Sequence, residues 1–323
     1  MQTNQSGNII VSICCLTYNH IDYIRDTIEG FLMQETNFPV EIIIYDDASN
    51  DGTTEIVKEY SSKFPDTILP IIQNENQYSK INEAVTARYV YPIARGKYIA
   101  YCEGDDYWTD PLKLQKQVDF LEKNLDYILC THNHSTQKVE SGEIKNELKY
   151  DHSFTYDLDF YLGNHVTPAL TACFRNIFRD YSYLAKENVF TDFFQFFELL
   201  KHGKGYFMSD NMAMFRNHKK GACSGLSEEQ WIMNHVLMFE HLYKYNKWLP
   251  KLKHFIARYY LVHFNYSLRN LKSKLLPWND LRGYFKNENH VSMLLINSIF
   301  RIPFYIIRYW LIDQLFSRRR INS

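Results

Sequence analysis

Apolar positions along the first 125 residues follow two different periods. The runs "IIVSICCLTYN" (9–19), "VEIIIYDDAS" (40–49), "TILPIIQN" (67–74) and "KYIAYCEG" (97–104) are almost continuously apolar until they meet polar residues. That is the pattern of strands buried on both faces of a parallel sheet. Between them Ile21, Ile24, Ile28, Phe31 and Leu32 recur at helical spacing, and residues 51–64 and 81–94 read as two more helices. Asp51 or Thr53 is available to cap the first of these, and Gly96 follows the second. Residues 110–124 form a fourth helical pattern, with Asp110 as N-cap, Pro111 at the first helical position, and Leu112, Leu114, Val118 and Leu121 for packing. Strand and helix alternate, which predicts an α/β fold: a mostly parallel sheet wound by right-handed crossovers.

Beyond residue 125 the pattern loosens. Residues 126–135 and 165–176 read as strands around a polar excursion at 141–153, and 191–205 as a short helix ended by glycine. A strand and a polar loop then fill 206–225, and from Ser227 onward helical spacing dominates. A chain of 323 residues exceeds one ordinary core, so the division expected is 1–225 and a helical region 226–323. Within that region, 291–323 is strongly apolar but interrupted by Arg301, Arg308 and Asp313, with Pro303 at a helix start. Two readings fit: an interfacial helix with arginines at anionic head groups, or a surface that packs on the domain or on a second subunit as a homo-oligomer.

Charge narrows the function classes. Thirty-six basic against thirty-seven acidic residues leave a net charge of -1, which argues against a nucleic-acid binder. The six cysteines show no C-x-x-C pairing, so reduced thiols are expected rather than disulfides or a zinc site. The polar start lacks the features of a secretory signal, and no run reaches about 18 uncharged apolar residues, so a cytoplasmic protein is expected.

The chemistry concentrates where strands end. In "ARGKYIAYCEGDDYW" (94–108) an apolar strand runs straight into Glu103, Asp105 and Asp106. Crowded carboxylates repel one another unless water or a cation compensates them. Asp46 and Asp47 end another strand, expected to neighbour the first, and Tyr18-Asn19 end a third. Ligands of open α/β sheets bind beyond such carboxyl ends. A hard divalent cation, Mg2+ or Mn2+, bridges carboxylates and diphosphate oxygens; the competing reading makes Asp105 and Asp106 solvated caps of the next helix.

Four segments in order, "VSICCLTYNH", "IIIYDDASNDGT", "ARGKYIAYCEGDDYWTDPLKLQKQVDFL" and "TDFFQFFELLKHGKGYFMSDNMAMFRNHKKGACSG", resemble the family 2 glycosyltransferases of the Rossmann-like GT-A fold. The bacterial members that build surface polysaccharides are the nearest in pattern, and the resemblance spans roughly 9–225. It implies that Leu16, Thr17 and Tyr18 border the nucleotide base and that Asp47 hydrogen-bonds it. Asp105 and Asp106 fall on the D-x-D region, implied to hold the metal and the sugar-nucleotide diphosphate. Glu103 stands where many relatives carry aspartate, long enough to reach metal or ribose. Asp192 occupies the place of the catalytic base of an inverting transfer, which takes the acceptor proton as its oxygen attacks. Arg216 and His218 match an R-x-H element implied to stabilise the leaving diphosphate, with Lys219 and Lys220 beside it. Trp108 is assigned either to the acceptor wall or to the core.

The implied activity is metal-dependent transfer of a sugar from a nucleotide donor, UDP-linked, to a glycan or lipid-linked acceptor at the inner face of the plasma membrane. Two other classes compete. A nucleotidyltransferase would need a Gly-rich basic loop after the first strand, where this chain has "LTYNHIDY". A non-catalytic glycan-binding scaffold would not need donor-site, metal and base carboxylates together. Sugar and linkage depend on loops between 130 and 225 that a sequence does not shape.

Overall fold

The computed structural model describes residues 8–81, 84–146, 149–164, 168–177, 191–221, 226–270 and 278–287. It divides into two compact units, Met1–Gly221 and Ala222–Ser323. The expectations for 291–323 lie outside the described residues.

The first unit is built on one ten-stranded sheet. Its centre is β1 (Val11–Thr17), parallel to β2 (Val40–Asp46) on one side and β4 (Tyr98–Tyr101) on the other, with β3 (Ile68–Ile72) outside β2. Val11, Ile13, Cys14, Cys15 and Ile42 to Ile44 are fully buried, as continuous apolar strands covered on both faces must be. Helices α1 (Ile24–Leu32), α2 (Thr53–Lys63) and α3 (Lys113–Lys123) connect this half.

The other half of the sheet is mixed. A short β9 (Cys173–Arg175) lies antiparallel between β4 and β6 (Tyr127–Lys138), and β6 pairs in parallel with the long β10 (Lys204–Asn217). β5 (Tyr107–Trp108) and β8 (Phe154–Tyr156) add antiparallel to β10, and β7 (Glu143–Lys145) to β6. Helices α4 (Leu158–Asn164) and α5 (Thr191–Leu200) complete the unit.

Three sequence expectations change, and one open assignment, Trp108, resolves to the core. The strands ending in the two acidic pairs are not neighbours: β2 and β4 flank β1, so the pairs stand on either side of the Thr17-Tyr18 end. The helix expected over 81–94 is a wide π turn at Thr86–Val90 followed by a 3-10 turn at Tyr91–Ile93; Pro92 lacks the amide a regular helix would use. Asp110 accepts the Leu112 amide at 2.8 Å and so closes a turn before α3, which starts only at Lys113. Trp108 belongs to the core: it is 1% exposed, gives its indole N–H to the Leu170 carbonyl (2.9 Å), and packs edge-on against Phe31. The Lys113 ammonium sits 4.0 Å over its ring.

Gly96 does more than follow a helix. A Cβ there would lie 2.4 Å from the Ser12 amide nitrogen and 2.6 Å from the Tyr98 carbonyl, both main-chain atoms of the central strands. Gly96→Ala is expected to cost about 2–4 kcal/mol, at the high end for a single substitution, read as a lower denaturant midpoint at unchanged slope.

In the second unit, α6 (Glu228–Tyr245) opens on a capping box between Ser227 and Gln230. It is followed by α7 (Lys251–Arg269) and α8 (Trp278–Asn287). Ala257 and Leu261 of α7 pack on Tyr284 of α8, and His263 meets Asp280 at 2.9 Å. No helix among the described residues is long and apolar enough to cross a membrane.

Candidate functional site

The carboxyl ends of β1, β2 and β4 and the last residues of β10 carry most of the residues expected to act. At the end of β2 the two aspartates do different work. Asp46 is fully buried and takes the Ser49 amide (3.1 Å) and the hydroxyls of Ser49 and Thr54, closing the turn into α2. Asp47 accepts the Gln77 amide (2.7 Å), the Tyr45 hydroxyl (3.0 Å) and the Tyr78 amide (2.9 Å), drawing the loop after β3 over the strand end. At the end of β1, Leu16 is half-buried, Tyr18 is exposed, and Thr17 is buried with a hydroxyl that has no hydrogen-bond partner. Asn19 turns the chain with a left-handed φ of 55° and bridges to the next loop by accepting the Asn50 amide (2.9 Å).

The acidic loop after β4 separates its carboxylates by direction. Asp106 is buried and accepts the main-chain N–H of Arg216 at 2.7 Å, while the Thr27 hydroxyl of α1 donates to its carbonyl at 2.6 Å. Asp105 accepts from His218 Nε2 at 3.0 Å through Oδ2, and His20 Nε2 approaches the same oxygen at 3.6 Å. Its other oxygen, Oδ1, is buried and has no partner. The Arg216 guanidinium is committed to protein groups: it donates to the Asp105 carbonyl (3.2 Å), pairs with Asp26, and lies 4.2 Å over the Tyr107 ring. Lys219 and Lys220 are exposed.

The Tyr101 hydroxyl reaches Glu103 at 3.4 Å. Asp192, in the first turn of α5, accepts the Phe193 amide at 2.8 Å. Glu103 is raised above its ordinary range by the protein crowded around it, then by the charges of Asp105 and Asp192, which places all three carboxylates within electrostatic reach. Burial also raises Asp192, and raises Asp106 well above a free carboxylate with Asp105 adding to it. Asp105 moves the other way: burial is outweighed by the His218 hydrogen bond and the two imidazoles, which lower it. The cluster therefore keeps its negative charge on Asp105. A bare, buried oxygen on an ionised carboxylate fits a cation. No group of three His, Cys, Asp or Glu side chains among the described residues forms a ready-made metal cage, so an ion held at Asp105 would need oxygens from a bound ligand.

The sequence reading foresaw α1 as a helix but not its part in the site. Tyr23, just before α1, and Asp26 and Thr27 in its first turns hold Arg216 and the acidic loop, and His20 precedes them. The available signal was Thr27, a polar residue within the apolar stripe of Ile24, Ile28 and Phe31.

Known proteins match this chain in sequence and in fold. Residues 12–182, just over half of the chain, fit the family model described as Glycosyl transferase family 2. An uncharacterised protein of Mycobacterium tuberculosis, Rv1520, is 46% identical over 122 residues, which are 38% of this chain and 34% of that protein. The Escherichia coli protein WfaP, named a UDP-Glc:alpha-D-GlcNAc-diphosphoundecaprenol beta-1,3-glucosyltransferase, is 39% identical over 113 residues, 35% of this chain and 41% of WfaP. The match thus spans about a third to two-fifths of these relatives' length. Among solved structures, S. aureus TarS 1-349 in complex with UDP-GlcNAc superposes with a TM-score of 0.58 at 17% identity, covering 86% of this chain and 79% of that one. The shared fold is the GT-A type, and the chain belongs to glycosyl transferase family 2.

Proposed function

We propose that the protein is an inverting, metal-dependent glycosyltransferase that moves a sugar from a UDP-linked donor to a glycan or lipid-linked acceptor of a bacterial surface polysaccharide. The observation that carries this reading is the grouping, in one cluster, of Asp105, whose Oδ1 is buried without a partner, with Asp192, both within electrostatic reach of the same Glu103. TarS crystallised with UDP-GlcNAc, and WfaP is named for a UDP-glucose donor and a diphosphoundecaprenol acceptor; these support the donor and acceptor classes.

In this reading Leu16, Thr17 and Tyr18 line the base, and Asp47 holds the loop of Gln77 and Tyr78 against it. Asp105 holds the ion, which when bound supplies positive charge to the departing diphosphate. Asp106 and Arg216 fix the acidic loop to β10, and His218 orients Asp105. Glu103 faces the ribose or the ion, and Asp192 takes the acceptor proton.

Calorimetry with UDP, with and without Mn2+, followed by product analysis with a panel of UDP-sugars, tests the reading. Metal-dependent UDP binding and a product of inverted anomeric configuration are expected; absence of UDP binding would favour a glycan-binding scaffold. The pH profile offers a separate check. A general base must be deprotonated to act, and burial raises Asp192, so the acid limb of kcat is expected at higher pH than a free aspartate would give. A limb at the ordinary aspartate position would remove Asp192 from that role.

A further inference from the structure

The charge of the chain is not spread evenly. Between Glu240 and Asp280 there is no carboxylate, while eight lysines and arginines fall in residues 241–279. The net charge of -1 is therefore +8 there and -9 over the rest of the sequence. The two flanking carboxylates are engaged: Glu240 accepts the Tyr260 hydroxyl at 3.0 Å, and Asp280 meets His263 at 2.9 Å. This segment runs through the end of α6, the turn at 246–250 and α7, and the chemistry proposed above does not use it.

The turn is built to a fixed shape. Asn246 is buried; its main-chain and side-chain amides both donate to the Leu242 carbonyl, at 2.9 and 3.0 Å, and its own carbonyl accepts the Leu249 amide at 2.9 Å. Pro250 accepts the Lys253 amide at 3.1 Å and precedes α7. Phe239 of α6 stacks on Phe255 of α7 with ring centres 5.2 Å apart, and Leu242, Leu252 and Ile256 are buried. A turn so held could tuck its large side chains inward, yet Tyr245 is 58% and Trp248 62% exposed, interleaved with exposed Lys244 and Lys247. The ammonium groups of Lys244 and Lys253 lie 5.1 Å over Tyr245 and 5.4 Å over Tyr243.

Tyrosine and tryptophan combine an apolar body with a polar edge, and they settle at the head-group level of a bilayer. Lysines beside an anionic leaflet add attraction over about a Debye length. We propose that the α6–α7 turn, carrying Lys244, Tyr245, Lys247 and Trp248, is a docking surface for an anionic phospholipid bilayer, on which the chain rests without spanning it. Charge complementarity selects the occupant: eight cations without a carboxylate suit a continuous negative surface, and two exposed rings at the turn suit one with an apolar layer just beneath it. This contact is separate from the one expected of 291–323. Docking places the chain where a lipid-linked acceptor of the proposed reaction lies, but it needs neither nucleotide nor acceptor, so its failure and that of the transfer reading are distinguishable.

The test floats the full-length protein, without nucleotide, on vesicles of phosphatidylcholine alone and of phosphatidylcholine mixed equally with phosphatidylglycerol, with tryptophan emission followed in parallel. Wild type is expected to bind the mixed vesicles, less strongly as salt is raised, and to shift its emission to shorter wavelength as Trp248 leaves water. Replacing both lysines, Lys244→Gln with Lys247→Gln, is expected to weaken binding by about 10- to 30-fold, at about fivefold for each lysine near an anionic surface. Trp248→Ala is expected to weaken it by about tenfold and to remove the emission shift while leaving the salt dependence. These positions are exposed, so denaturant midpoints should stay at the wild-type value, and loss of binding is then not loss of fold. No binding of wild type to the mixed vesicles, equal binding to both vesicle types, or wild-type binding by the double lysine variant overturns the proposal. Self-association that the lysine variant loses, without vesicle binding, names a second copy of the chain as the occupant and overturns it equally.

Discussion

Asp192→Asn is expected to lower sugar transfer by about 10²- to 10⁴-fold, the range a positioned general base contributes, while donor binding stays close to wild type. The substitution is chosen so that structure survives. Asparagine keeps the oxygen that accepts the Phe193 amide at 2.8 Å, so the first turn of α5 loses no hydrogen bond. What disappears is the ability to hold the acceptor's proton. The buried environment that raises the Asp192 pKa also sets the strength of that base, because a carboxylate with a raised pKa binds a proton more tightly. A secondary effect follows on Glu103, which Asp192 helps to raise. With that charge gone, Glu103 should titrate at lower pH, a change visible to NMR even where no product forms. Transfer at the wild-type rate would show that another group, with Glu103 first in line, takes the proton.

Much of the catalytic half was legible because parallel strands buried on both faces read as unbroken apolar runs. Val11 to Cys15 and Ile42 to Ile44 could hardly be anything else. Strand order was not legible, since nothing in the runs themselves says that β4 joins β1 on the side away from β2. The segment 81–94 misled for a local reason: its apolar spacing is helical, but Pro92 withholds an amide and the backbone settles into a π turn and a 3-10 turn. Trp108 stayed open between acceptor wall and core for a tertiary reason, because a strand-end aromatic meets its partners, Phe31, Lys113 and the Leu170 carbonyl, only when distant segments arrive. The candidate site was readable as a list of carboxylates and unreadable as a division of labour. Asp105 and Asp106 look equivalent in "EGDDYW", yet the chain turns there, with the Asp106 amide donating to the Glu103 carbonyl at 3.2 Å, and the two carboxylates meet different partners. One therefore meets two imidazoles and the other a backbone amide of β10.

That divergence supplies the second large effect, a contrast between neighbours. Asp105→Ala is expected to abolish metal-dependent UDP binding, weakening it by about 100-fold or more, because losses in the outer shell alone reach about 10- to 100-fold and this change removes the ionised carboxylate with the bare oxygen. Asp106→Asn is expected to leave that binding nearly intact, since an amide oxygen can still accept the Arg216 N–H at the 2.7 Å contact. Asp106→Ala falls between: it strands a buried main-chain donor, a loss of about 1–3 kcal/mol, so its first symptom should be lower stability. Titrating each variant with UDP and Mn2+ in a calorimeter, alongside a denaturant midpoint, separates ion holding from loop anchoring. If Asp106→Asn lost the metal effect as completely as Asp105→Ala while keeping its stability, both carboxylates would hold the ion. The Arg216 amide would then have to release Asp106 when the donor binds, making the join between the acidic loop and β10 a moving part of the site.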